Sequence, residues 1–509
     1  MRSLCSRPEP IDGLNGPWPL HDAASTRRVE QAAVAGAPTL ALMDHAGFAV
    51  ARLTLALAPH AQRVHIWAGP GNNGGDGLVA AGHLLRAGRQ VRVDLIADPG
   101  RQPADAAAAL QRAVAEGVPV WHRGAGAAPP GTQAQEADFV IDALLGLGLR
   151  TALQGELAEA VARINRSPAP VLAVDLPSGL HPDTGQRLGE EAVRADATLS
   201  LLTLKPGCFT ADGRDHAGRV WLDTLGGASS PPTAWLGSKP APKARLHGTH
   251  KGSFGDVAVA GGAHGMTGAA WLAARAALAA GAGRVHVVLL DPQAPAWDPL
   301  RPELMAAADL RRWPPDRLAS TTVACGCGGG DRIGALLPLL LARVQRLVLD
   351  ADALNAIAAD AGLQSQLRRR RALGLATLLT PHPLEAARLL NTTTPAVQAD
   401  RLAAAAALAD RFDCCILLKG SGTVIAAAGG LPWINPTGNA ALATAGTGDV
   451  LAGYVAGCWA QQPGADLQTL ARHAAWAHGR AADLWPASAY GRPLRAADLV
   501  ERLALSTGD

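Results

Sequence analysis

Two glycine-rich segments carry side chains that could do chemistry. The first, Gly69-Pro-Gly-Asn-Asn-Gly-Gly-Asp-Gly77, sets two amides and a carboxylate among glycines. Glycines let backbone N–H groups approach a phosphate closely, and a loop that opens a helix adds the positive end of the helix dipole. The oxygens of Asn72, Asn73 and Asp76 could also ligate a hard cation, monovalent or divalent. The second segment runs from Asn439 and ends in Gly446-Thr-Gly-Asp449, ahead of an apolar stretch at 450–460. Its glycines would form an anion hole, and Asp449 could accept a hydroxyl proton while that oxygen attacks phosphorus. Either segment alone could be a structural turn. Two unlike sites on one chain suggest consecutive steps on a nucleotide-like substrate.

The elements that must position these residues follow from periodicity. Helix is expected over 24–58, with a break at 36–38. Then come strand 64–68 into the first glycine loop, helix 78–87, strand 91–96, helix 104–116, strand 139–142, helix 157–165 and strand 171–175. That alternation is the mark of a parallel sheet wrapped by helices, in which ligands bind beyond the carboxyl ends of strands. Asp142, before Ala-Leu-Leu-Gly-Leu-Gly-Leu149, and Asp175, before Leu-Pro-Ser-Gly179, also fall at strand ends. A lone aspartate there is often only a helix cap. A Gly/Ser/Pro-rich stretch at 226–245 reads as a linker between domains 1–225 and 246–509. A second alternation follows: strand 257–260, a glycine loop at 261–268, helix 269–280, strand 284–290, and strands 346–349, 377–379 and 414–418. The fold class is therefore α/β in two domains.

Bulk composition agrees. The 509 residues exceed one typical core, and 48% hydrophobic against 17% charged fits a folded protein. A net charge of +3 is close to neutral, so no nucleic-acid or anionic-membrane partner is expected. The seven cysteines include no CxxC pair, which argues against a zinc site and for reduced, buried thiols in a cytoplasmic protein. No apolar signal segment is read at the N-terminus, and prolines and asparagines spoil the uncharged stretch 420–448 as a membrane helix. Arg368 to Arg371 reads as a solvated basic face. Oligomeric state is left open, a homo-oligomer included.

Taken together, Leu42-Met-Asp-His-Ala-Gly47, the first glycine loop, Asp-Ala-Leu-Leu-Gly-Leu-Gly-Leu149, Val174-Asp-Leu-Pro-Ser-Gly179 and Leu204-Lys-Pro-Gly207 resemble the NAD(P)H-hydrate epimerase domain, over about residues 20–225. The resemblance implies a Rossmann-like three-layer sandwich. It implies a potassium site at Asn73, Asp142 and Ser178. The hydrated nucleotide would touch Asn72, Asn73, Gly74, Gly75, Asp76, then Gly146, Leu147, Gly148, Leu149, Arg150, Thr151, Ala152, and Asp175. Leu147 stands where the family usually has Thr. A carboxylate near the ring could manage protons during epimerisation; Asp175 is the expected one, with Lys205 a weaker candidate.

The C-terminal motifs resemble a second family. Gly252-Ser-Phe-Gly-Asp-Val257, Gly265-Met-Thr-Gly-Ala269, Gly326-Cys-Gly-Gly-Gly330, Leu349-Asp-Ala-Asp-Ala-Leu-Asn355, Thr380-Pro-His-Pro-Leu-Glu385, Lys419-Gly-Ser-Gly-Thr423 and the Gly446 loop are similar to the ribokinase-like ADP/ATP-dependent NAD(P)H-hydrate dehydratase domain, over about 246–505. The hydrated substrate would touch Ala269, Gly328, His382 and Asp449, with Asp449 the catalytic base. ADP or ATP with magnesium would sit on Lys419, Gly420, Ser421, Gly422, Thr423 and Gly448. His382 could instead be a rigid turn residue, Asp350 and Asp352 are left unassigned, and Cys327, in place of the family's proline, would loosen its loop. The whole chain then reads as a repair enzyme for the hydrates NADHX and NADPHX, epimerising R and S forms and dehydrating the S form by phosphorylation and elimination. Competing readings are a ribokinase-like small-molecule kinase in the second half and a ligand-sensing or scaffolding module in the first.

Overall fold

The computed structural model describes residues 7–36, 39–98, 101–122, 136–227, 229–241, 245–485 and 494–505. The chain divides into two compact units, Met1–Trp235 and Leu236–Asp509. A short strand, Ala234–Leu236, lies within the stretch 226–245.

In the first unit eight strands pair in the order Glu9–Pro10, Arg219–Asp223, Ala197–Leu201, Val171–Val174, Phe139–Ala143, Arg63–Ala68, Gln90–Leu95, Val120–His122. All neighbours are parallel except the antiparallel edge at Glu9–Pro10. The chain builds outward from Arg63–Ala68 in one direction, then returns and builds from Phe139–Ala143 in the other. A crevice must open past the carboxyl ends of those two strands, where the crossovers diverge. Side-chain alternation divides the core between the two faces. Val64, Ile66, Ile141 and Leu172 pack with helices Thr39–Leu57, Asn72–Arg86 and Ala104–Ala115, while Trp67, Val140, Val171 and Ala173 pack with helix Gly155–Arg166. The result is three layers.

The second unit repeats the logic. Its strands run Met305–Ala306, Arg284–Leu289, Asp256–Gly261, Thr322–Cys325, Arg346–Leu349, Ala376–Leu379, Cys415–Leu418, Val424–Ala427 and Trp433–Ile434. They are parallel up to Cys415–Leu418 and antiparallel beyond it. The direction of building reverses between Asp256–Gly261 and Thr322–Cys325. Val257 and Val259 face one core, Ala258 and Ala260 the other. The alanine-rich composition serves close packing. Gly453 and Gly457, one turn apart on helix Thr447–Gln461, lie against the backbone of Ala273 and Ala277 on helix Thr267–Ala279, where any Cβ would collide.

Four sequence expectations need correction. Helix Asn72–Arg86 starts six residues before the expected 78, so most of the first glycine motif is helical. Gly74 can sit there because a Cβ would strike the Gly69 carbonyl; the missing side chain lets the helix fold back onto its own loop. Helix Thr447–Gln461 likewise takes Asp449 into its first turn. Strand Thr322–Cys325 was not expected at all, although it is central and fully buried. Arg370 is 1% exposed rather than solvated, and it donates to the Leu340, Leu341, Val344 and Ala376 carbonyls and to Thr377 Oγ1. The helix break falls partly at 37–38, outside the described residues. Among the described residues no helix is long and apolar enough to cross a membrane, and Cys208, Cys325, Cys327, Cys414, Cys415 and Cys458 are unpaired thiols.

Candidate active sites

A cavity of about 300 Å³ opens in the first unit at its sheet reversal. Of the expected residues, Asn72, Asn73, Asp76, Gly146, Leu147, Gly148 and Asp175 line it. Gly74 and Gly75 are buried in the helix rather than in its wall. The loop continues past the cavity through Leu149 to Arg150, Thr151 and Ala152, and those last three are exposed.

Asp175 stands just beyond strand Val171–Val174 with φ of 67°, a left-handed conformation rare for a residue with a Cβ. Its surroundings hold it there. Its Oδ1 accepts from Lys205 Nζ and from Leu201 N at 3.1 Å. The Lys205 side chain is fully buried and also donates to Leu201 O at 2.7 Å. Asp175 Oδ2 and Asn73 Oδ1 lie 3.2 and 3.5 Å from where a Gly146 Cβ would stand, so a side chain there would crowd both.

Asp142 and Ser178 are buried and form one unit. Asp142 accepts from Ser178 N at 2.9 Å, Ser178 Oγ at 2.7 Å and Leu144 N at 3.1 Å. Burial nevertheless pushes its carboxyl up to about 6, more than these hydrogen bonds pull it down. Among the described residues Asn73 Nδ2 is buried with no hydrogen-bond partner.

The cavity also gathers groups that the sequence reading did not single out. Arg27 donates to Leu147 O at 3.1 Å, tying the glycine loop to helix Ala23–Gly36. Glu30, like the expected Asp76, is held above the ordinary carboxyl range, first by burial and then by the nearby Asp175 charge. The available signal was spacing: Arg27 and Glu30 are three apart on an expected helix, so they share a face.

In the second unit the loops after the two reversal strands are laced together. Gly262 N donates to Cys327 O at 3.0 Å and Ala263 N to Gly328 O at 2.7 Å. The Cys327 loop is therefore held, not loosened. Gly328, at φ 58°, lies against Ala269, so these two expected residues are neighbours. Lys419 Nζ donates to Asp350 Oδ1 at 2.6 Å and passes within 3.3 Å of where a Gly448 Cβ would stand. This brings the Lys419 loop to the helix start that carries Asp449. Beneath Gly420 lies the buried Arg401 guanidinium, which donates to the Lys419 carbonyl at 3.1 Å. Ser421 is exposed, Gly422 buried and Thr423 half-buried.

Asp350, left unassigned from sequence, is 2% exposed and also accepts from Thr380 Oγ1 at 2.8 Å. Its place at the end of strand Arg346–Leu349 was the available signal. Asp352 accepts from Gly330 N at 2.9 Å. The Asp449 carboxyl is pushed up to about 6, by burial first and by Asp350 second. His382 caps helix Pro383–Leu390: its Nδ1 accepts from Leu384 N at 3.1 Å while Glu385 accepts from His382 N at 2.8 Å. Burial and then Lys419 lower its pKa. The turn-residue alternative thus describes part of what His382 does, and the half-exposed ring leaves Nε2 beside Glu385.

Each α/β unit thus brings glycine loops and buried carboxylates together at a sheet reversal. Residues 39–207 match the family described as YjeF-related protein N-terminus, and residues 257–504 match the NAD(P)H-hydrate dehydratase family. Bifunctional NAD(P)H-hydrate repair enzymes are similar over nearly the full length. That of Coxiella burnetii is 34% identical over 95% of this chain and 98% of its own, and that of Escherichia coli 33% over 93% and 90%. Among solved structures, the ADP/ATP-dependent NAD(P)H-hydrate dehydratase from Bacillus subtilis is 28% identical, with a TM-score of 0.42, over 52% of this chain and 92% of that one. The chain belongs to the family of bifunctional NAD(P)H-hydrate repair enzymes.

Proposed function

We propose that the chain repairs NADHX and NADPHX at two sites, and that Asp175 and Asp449 carry the chemistry. The observation that carries this reading is the conjunction of full-length family membership with two separate strand-end sites, each presenting a carboxylate beside glycine loops.

At the first site, epimerising C6 requires reversible breaking of a bond at that carbon. Asp175 Oδ2, turned to the cavity with Oδ1 fixed by Lys205, can accept and return a proton or stabilise the electron-poor ring. The donor set Asn73 Oδ1, Asp142 and Ser178 Oγ is all hard oxygen, which fits an alkali cation, and the orphaned Asn73 Nδ2 is consistent with an amide oriented by something other than protein. Potassium held there would supply fixed positive charge beside the nucleotide.

At the second site hydroxide would be a poor leaving group. Phosphoryl transfer from ADP or ATP to the C6 hydroxyl, with Asp449 taking its proton, converts it to a phosphate ester. Phosphate then leaves with the C–O electrons, and loss of the adjacent ring proton restores the double bond. Lys419 and the amides at Gly446–Gly448 would hold the phosphate chain, and magnesium bound to the nucleotide would neutralise charge there.

The test is a mixture of R and S hydrates of NADH with magnesium, potassium and either ADP or ATP, read by return of reduced-nicotinamide absorbance. Recovery of both epimers is expected, and the preferred donor emerges from the same assay. Recovery that stops when the S form is spent sinks the epimerase; a stable phosphorylated product without elimination points to a small-molecule kinase.

A further inference from the structure

Cys327 lies in the loop after strand Thr322–Cys325, between two glycines in left-handed conformations, Gly326 at φ 120° and Gly328 at φ 58°. The loop backbone is pinned on both sides. Gly326 N donates to Ala260 O at 3.0 Å, Gly262 N to Cys327 O at 3.0 Å, and Gly330 N to Asp352 Oδ2 at 2.9 Å. The side chain is 0% exposed. With backbone and burial both fixed, the sulfur has little choice of direction, and it lies beside the Asp350 and Asp449 carboxylates. Cys327 Sγ and carboxylate oxygens of Asp350 and Asp449 all lie within 4.8 Å of one another. At that separation the Cys327 S–H can turn toward the Asp449 carboxylate.

We infer that Cys327 is a positioning residue for the dehydration: its S–H donates to the Asp449 carboxylate and holds it in the orientation that receives the substrate hydroxyl proton. This rests on the reading of Asp449 as the base. Among the described residues, the charged groups that act on Asp449 do not offer it a hydrogen bond. Asp350 and Asp352, both after strand Arg346–Leu349, are carboxylates that repel it. The cation that acts on it, Lys419, after strand Cys415–Leu418, is bonded to Asp350. Glu385, on helix Pro383–Leu390, also faces Lys419 and Asp350. A neutral donor fixes the carboxylate without adding charge. The thiol itself is held far toward its protonated form by burial, then by Asp449 and Asp350, so it donates throughout the neutral range.

The role separates from simple packing by its pH signature. Cys327 lowers the Asp449 pKa against the upward pull of burial, so its loss raises that pKa and moves the acidic limb of the dehydratase kcat profile to higher pH. The experiment compares wild type, Cys327→Ala and Cys327→Ser on pure S hydrate from pH 5 to 8.5, with Tm and ADP and ATP affinity measured on each. For Cys327→Ala we expect a limb shifted up by about half a unit to one unit, with nucleotide affinity kept. For Cys327→Ser, whose hydroxyl is still a donor, we expect most of the shift to be abolished. Coincident wild-type and Cys327→Ala profiles overturn the inference, and so does an equal shift in both variants. If Cys327→Ala does not fold, the Cys327→Ser profile decides alone: a shift as large as one unit refutes it. Absence of dehydration by wild type would instead refute the reading of the second site.

Discussion

Removing the Lys205 ammonium tests how the first site keeps its carboxylate ready. In Lys205→Met the chain length survives, but Asp175 Oδ1 loses its ammonium partner and keeps only Leu201 N. Leu201 O and Ser200 Oγ lose a donor as well. Deleting one member of a buried ion pair typically costs about 3–5 kcal/mol, because the other is left buried and unpaired. The Asp175 side chain is 12% exposed toward the cavity, so water relieves part of that penalty and the lower end applies, about 3 kcal/mol. At 1.36 kcal/mol per tenfold, this is roughly a hundredfold in the unfolding equilibrium of the first unit. Asp175 is also held at φ 67° by these contacts, so the carboxylate should turn away and epimerisation should fall at least about tenfold. Denaturant unfolding of wild type, Lys205→Met, Asp175→Leu and the double variant measures the stability term, with a coupling of about 2 kcal/mol or more expected. Dehydration of pure S hydrate by the same preparations is the internal control and should be unchanged. Additivity within about 0.5 kcal/mol, or full epimerase activity in Lys205→Met, would show that the pair does not hold the site.

Asp449→Asn should lower dehydration by about 10²–10⁴-fold with ADP or ATP while epimerisation, followed by chromatography of the two epimers, stays at the wild-type rate. Gly74→Ala should destabilise the first unit by about 1–3 kcal/mol, seen as a lower Tm, because the added Cβ meets backbone that cannot yield. Burial raises the Glu385 carboxyl to about 7 from 4.5, so the folded state prefers it protonated; that stability is present below 4.5 and is lost as pH rises through 7. Glu385→Gln keeps an acceptor for His382 N, so it should stabilise at pH 8 relative to wild type and be nearly neutral at pH 4; a destabilisation at both would refute this. Arg370→Met should cost about 3 kcal/mol or more in denaturant titration, since several carbonyls lose their donor at once.

The alternation of strands and helices was legible because both sheets are mostly parallel and their buried strands read as short apolar runs. What escaped notice has identifiable causes. Strand Thr322–Cys325 is four residues long and buried on both faces, so no alternation marks it. The helix starts at Asn72 and Thr447 were hidden by glycine, which propensity places outside helices but which tight packing requires inside these. Asp175, Asp142 and Asp449 could be singled out because each abuts a glycine motif. Asp350 could not be assigned, because its meaning comes from Lys419, 69 residues away. Arg370 looked like its charged neighbours, and only the carbonyls around it, from residues up to 30 positions distant, reveal its inward turn.

The two sites use the same pair of residue types in opposite senses. In the first unit Lys205 is fully buried and Asp175 is the member at the cavity, so the cation orients an anion that faces the cavity. In the second, Asp350 is the buried member at 3% and Lys419, at 18%, reaches toward Gly448, so the anion orients a cation. The arrangement matches what each reaction would ask of its site. A hydrated nicotinamide ring that becomes electron-poor as a bond at C6 breaks is stabilised by a carboxylate, whereas a nucleotide phosphate chain needs an ammonium. In both cases the deeper partner satisfies the charge before ligand arrives, so the exposed partner keeps one orientation and little reorganisation is left for the reaction itself. It follows that reversing either pair, Lys205 with Asp175 or Asp350 with Lys419, would preserve net charge and approximate volume yet abolish the activity of that unit alone.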